Sequence, residues 1–127
     1  RGPSRDDPLT MLNERATELG RLLGQSPEYQ AVKRASDALN QDTEAVALLE
    51  QMERLRRDAQ MSIQRGEQPT AEMEQQLDAL LGKIQVNATY QRVLVANENF
   101  DKVMVQVNQW ILDGIKKGAA SSIITLG

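Results

Sequence analysis

From Thr43 to Arg65 the chain runs without a glycine or proline. Its apolar residues Ala45, Leu48, Met52, Leu55, Ala59 and Ile63 step by three, four, three, four and four. That spacing approaches the 3.5-residue repeat of a coiled-coil seam and predicts one helix of about 23 residues, roughly 35 Å long. Gly66-Glu67-Gln68-Pro69-Thr70 follows, placing glycine where a helix ends and threonine where the next one is capped. A second apolar series then begins with Met73, Leu77, Leu80, Leu81 and Ile84. A connection this short forces the two helices to lie antiparallel as a hairpin.

Other helices are punctuated as clearly. Residues 1–8 are polar, begin without Met and carry no apolar leader, so a disordered lead and no secretory signal are expected. From Leu9, apolar positions Leu12, Ala16, Leu19, Leu22 and Leu23 predict a first helix stopped by Gly24. Ser26-Pro27-Glu28 reads as cap, first helical proline and acid facing the helix dipole. It opens a second helix with Tyr29, Val32, Ala35 and Leu39 on one face, ending near Asn40. Asp42 caps the third.

Asn87 caps a long last helix. There Val93, Asn97, Phe100, Met104, Val107 and Ile111 alternate steps of four and three. Several β-branched residues raise a strand alternative, but this spacing suits a helix. Lys116, Lys117 and Gly118 are placed to end it. The expected fold is all-α, a bundle of about five helices with a long antiparallel hairpin and a long C-terminal helix. Residues 9–118 form a single helical domain and 119–127 an apolar tail.

The composition removes much chemistry. There is no cysteine and no histidine, which excludes thiolate nucleophiles, disulfides, Cys-ligated zinc and the Glu-x-x-His pairs of di-iron bundles. Glu50 and Glu53 stand three apart on what reads as an exposed face and make no convincing metal site. The glycines are scattered rather than gathered into a phosphate-cradling loop. An enzyme is not expected; neither is a cofactor or a metal. With 15 basic and 18 acidic residues the chain carries a net charge of −3, so nothing global draws it to nucleic acid or anionic membrane. No stretch approaches the roughly 20 apolar residues of a membrane span. A cytoplasmic protein is expected.

The long, narrow apolar stripes are under-filled for a monomer, and self-association is the natural way to cover them. Candidate oligomer or partner contacts are Leu48, Met52, Leu55, Asn97, Met104, Val107, Trp110, Ile111, Ile123, Ile124 and Leu126. Trp110 reads either as a core tryptophan or as an interface anchor. Asn97 either fixes register within the stripe or borders the core. The tail residues Ile123, Ile124 and Leu126 either pack within an oligomer or dock on a partner. Lys33, Arg34, Arg54 and Arg57 form a weak basic patch. Glu50 and Asp58, each four residues from Arg54, suggest ordinary solvated pairing.

The stretch Leu19-Gly20-Arg21-Leu22-Leu23-Gly24-Gln25-Ser26-Pro27-Glu28-Tyr29-Gln30-Ala31-Val32-Lys33 resembles the YlbF/YmcA family. So do Ala35, Leu39, Asp42 and Glu44 before the long helix, the break at Val86-Asn87-Ala88, and Val107-Asn108-Gln109-Trp110-Ile111. The similarity covers roughly residues 9–115. It implies a small all-α bacterial regulator that forms oligomers. Relatives act in competence, biofilm formation and sporulation, in a complex that works with ribonuclease Y in RNA maturation. Some hold an iron–sulfur cluster through cysteines; this chain has none, so that cofactor does not carry over. The expected function is therefore regulation by protein–protein binding. Expected partners are the chain itself, related family members or an RNA-processing enzyme. The alternatives are a nucleic-acid binder using the basic face, and a helical holdase or adaptor.

One substitution tests the seam. Leu55→Asp should unfold or dissociate the protein, because it sets a charge in the middle of the longest apolar stripe. Circular dichroism and light scattering check this, and native helicity at native mass would contradict the seam.

Overall fold

The computed structural model describes residues 7–126, with side chains up to residue 120. It consists of five helices: α1 (Pro8–Gln25), α2 (Pro27–Gln41), α3 (Thr43–Gln64), α4 (Ala71–Gln85) and α5 (Ala88–Leu126). No strand occurs among the described residues. The all-α expectation holds, and the β-branched run in α5 is helical. Residues 1–6 of the expected disordered lead lie outside the described residues; Asp7 already caps α1 by accepting from the Leu9 N–H at 2.9 Å.

Side-chain caps set the element boundaries. The Ser26 hydroxyl donates to the Leu23 carbonyl (2.6 Å) and accepts from the Tyr29 N–H (3.1 Å). One side chain thus closes α1 and opens α2, with Pro27 in the first helical position, where its missing N–H costs nothing. Asp42, Thr70 and Asn87 accept from the N–H groups of Ala45, Met73 and Tyr90 at 3.0, 3.1 and 2.8 Å, satisfying orphan donors at the starts of α3, α4 and α5.

Gly66 adopts φ +81°, alone in the left-handed region among the described residues. The Glu67 N–H reaches the Ser62 carbonyl at 2.8 Å and the Gly66 N–H reaches that of Ile63 at 3.0 Å. These are the two bonds of a Schellman motif. The other glycine stops do not materialise: Gly24 lies inside α1, and α5 continues through Gly118 to Leu126. A helix stop needs the left-handed turn and a chain that leaves the axis. At Gly24 the exit waits for Ser26-Pro27, and after Gly118 the alanines favour continuing the helix. Lys116 and Lys117 are accordingly interior to α5 rather than at its end.

The contacts divide the chain into two units, Val32–Ala96 on one hand and residues 1–31 with 97–127 on the other. The core of the first unit is Ala45, Leu48, Leu80 and Ile84, where α3 meets α4. Leu39 from α2 and Tyr90 from α5 pack against it, together with Leu49, Met52 and Leu55. The Asn87 amide also donates to the Asp42 carboxylate at 3.2 Å, joining the caps of α3 and α5. In the second unit Tyr29 meets Phe100 edge-on, with ring centroids 5.2 Å apart, and Val107 is buried.

Two outcomes follow from these bonds. Gly66→Ala should cost about 1 kcal/mol in chemical denaturation, because a Cβ in the left-handed turn clashes with the adjoining carbonyl. Asp42 is held below its ordinary value of 3.8 by the Ala45 N–H, then by the Thr89 and Asn87 side chains. A folded-state pKa that lies below the unfolded one gives stability that is complete above the unfolded value and is lost as pH falls through the folded one. Asp42→Asn keeps a capping oxygen without the titration. Its stability, followed by thermal melts between pH 6 and strong acid, should fall less steeply below pH 3.8 than that of the native chain.

Candidate protein-binding surfaces

Along the hairpin, packing is uneven although the sequence pattern is uniform. Near the base, Ala45 is 0% and Ile84 1% exposed, with Leu48 and Leu80 also buried. Further along α3, Met52, Leu55 and Ala59 are half-buried, and near its end Ile63 is 60% exposed. On α4, Met73 is half-buried and Leu77 is exposed. Leu39 and Tyr90 cover the seam at its base. Beyond them an open groove of about 460 Å³ is lined by Leu49, Met52, Leu55, Ala59, Met73 and Leu77. Pro69, Glu53, Arg56 and Glu74 complete its walls.

Of the residues singled out on this helix, Leu48 is thus core, whereas Met52 and Leu55 belong both to the edge of the core and to the groove. Met73 and Leu77 were not among the candidates. The signal was present, since they continue the same seam spacing as Leu80 and Ile84.

In the other unit the apolar stripe of α5 also runs out. Met104 is half-buried and Val107 buried, but Trp110 (62% exposed), Ile111 and Ile115 lie open. Trp110 is therefore no core tryptophan. Asn97 is exposed; the buried position is its neighbour Ala96. The stripe follows Val93, Ala96, Phe100, Val103 with Met104, and Val107, so within it the series read from the sequence departs only at Asn97. The side chains of Ile123, Ile124 and Leu126 lie outside the described residues, while the α5 backbone is helical through them.

Lys33, Arg34, Arg54 and Arg57 are all exposed. Ion pairs among the described residues are Arg21–Glu18, Arg56–Glu53 and Lys102–Glu98, so the expected bridges from Arg54 to Glu50 and Asp58 do not form. Instead Arg56 grips Glu53 one turn away through two bonds, the Nε–H donating at 3.0 Å. That hydrogen bond holds the Glu53 carboxyl below its ordinary range. Arg54 and Asp58 line a second groove on the hairpin with Gln51 and Gln76. No group of three or more His, Cys, Asp or Glu that could hold a metal is found among the described residues. No helix there is long and apolar enough to cross a membrane.

What these surfaces offer is apolar area bordered by charge. Comparison with known proteins finds similarity to UPF0342 proteins and a family with a regulatory description. The chain is 26% identical over 108 residues to a UPF0342 protein of Streptococcus sanguinis, covering 85% of this chain and 96% of that protein. It is 24% identical to a UPF0342 protein of Leuconostoc mesenteroides, over 75% of this chain and 81% of that one. A UPF0342 protein of Limosilactobacillus reuteri is 26% identical, over 80% and 82%. A family model described as control of competence regulator ComK, YlbF/YmcA, matches residues 12–116. By that match over most of its length, the chain belongs to the YlbF/YmcA family.

Proposed function

We propose that this chain is a non-enzymatic cytoplasmic regulator that acts by binding other proteins through exposed apolar helix faces. Its partners are further copies of itself, related family members, and an RNA-processing enzyme of the ribonuclease Y type. The observation that carries the reading is the open face of α5, where Trp110, Ile111 and Ile115 stand exposed beyond the buried Val107. Leaving a tryptophan and two isoleucines in water forfeits the free energy of burying them, about 1.5–3 kcal/mol for each large aliphatic or aromatic side chain. A binding partner recovers it, and tryptophan is the residue most often found at the energetic centre of such contacts. The regulatory description of the family supports the same reading.

The test is an affinity capture from cell lysate with the native chain and a Trp110→Ala, Ile111→Ala variant. Both residues are exposed, so the variant should keep native helicity. Recovery of ribonuclease Y or of related family members with the native chain is expected, reduced by more than about tenfold with the variant. Equal recovery with both proteins, or none of these partners with either, would contradict the proposal.

A further inference from the structure

Leu39 and Tyr90, each from another helix, cover the seam of α3 and α4 at its base. Beyond them Met52, Leu55, Ala59, Met73 and Leu77 line the open groove with the same kinds of side chain as the core. On α3 the lining runs from Leu49 to Ala59, about 15 Å of helix, which leaves room for about three turns of another. A helix is the shape that continues the cover found at the base.

The charges on the rim select which helix. On the α3 side Arg56 is held by Glu53 of the same helix, so that pair presents no net charge. The α4 side is different. Glu74 lines the groove, and Asp78 follows it one turn along the same edge, next to Leu77. Both are exposed, and neither takes part in an ion pair among the described residues. No lysine or arginine stands three or four residues from either, and two acids at this spacing on a helix repel each other. Attraction to the helix N-terminus accounts for Glu72 and Glu74 in the first turn of α4, but not for Asp78 a turn further in.

We propose that the groove receives a helix of a different protein, amphipathic and basic along one edge. Its apolar stripe lies on Met52, Leu55, Ala59, Met73 and Leu77, and its lysines or arginines stand against Glu74 and Asp78. The stripe supplies most of the affinity, and the rim charges reject acidic helices. This rests on the reading of the chain as one that binds other proteins, and adds a surface other than the α5 face that carries that reading.

The test uses the purified full chain and two labelled peptides of about 14 residues, roughly four turns. Both carry leucines at three- and four-residue steps on an alanine background, with one edge of lysine in the first and of glutamate in the second. Fluorescence anisotropy reads affinity, with circular dichroism on every variant. The native chain should bind the lysine peptide more than about tenfold more tightly than the glutamate peptide, and less so as salt rises. Ala59→Arg should weaken lysine-peptide binding by more than about tenfold. Glu74→Lys with Asp78→Lys should reverse the preference. Asp37→Lys with Glu50→Lys makes the same change of charge at exposed positions that line neither groove, and should keep it. Should the groove lysine variant lose helicity, Glu74→Gln with Asp78→Asn replaces it and should weaken lysine-peptide binding at least about threefold. Trp110→Ala with Ile111→Ala should bind the peptide as the native chain does, so this proposal and the α5 reading can fail separately. Equal affinity for the two peptides would overturn the proposal, as would no binding of either at about 100 μM. So would native affinity in the folded groove variants, or an equal loss in the Asp37, Glu50 or Trp110, Ile111 variants.

Discussion

The contact on which the structure turns is that of α3 with α4 at the base of the hairpin. Ala45, without bulk and fully buried, lets the two helices approach there, and Leu48, Leu80 and Ile84 interlock around it. Leu39 and Tyr90 bring α2 and the start of α5 onto the same cluster. The polar framework reinforces that arrangement at the same end. Asp42 caps α3 and at the same time accepts from Asn87, the cap of α5. Apolar packing and helix caps thus fix one place in common.

Away from this contact, packing thins. The outer half of the hairpin and the later part of α5 keep apolar residues at helical spacing but leave them half-buried or exposed. Among the described residues no group of three or more His, Cys, Asp or Glu that could hold a metal lies on either surface. The perturbed carboxyls, Asp42 and Glu53, owe their shifts to a helix cap and to a neighbouring arginine on the same helix. Those are structural causes. Both surfaces leave apolar helix positions open to solvent, in a chain whose family is described by the control of another regulator.

Much of the fold was legible in the sequence because its boundaries are set by local chemistry. Ser26, Asp42, Thr70 and Asn87 cap as their residue types and positions require, and Gly66 turns as a left-handed residue must. Gly24 and Gly118 misled because glycine permits a helix stop without enforcing one. Asn97 misled for a different reason. Between Val93 and Phe100 a step of three or of four suits a helix equally, and only packing selects Ala96 over Asn97. The uneven burial of the hairpin was not legible at all. Its spacing is the same at base and tip, and what differs is the presence of Leu39 and Tyr90, which come from other helices.

Amide hydrogen exchange of the full chain, alone and with the lysine peptide at saturation, tests most directly whether the outer hairpin is an interface. Amides from Met52 to Ile63 and from Met73 to Leu77 should exchange more slowly with the peptide bound. Those around Ala45, Leu48, Leu80 and Ile84 should change less, because their cover comes from within the chain. Exchange in the outer hairpin that the peptide leaves unchanged would contradict an interface there.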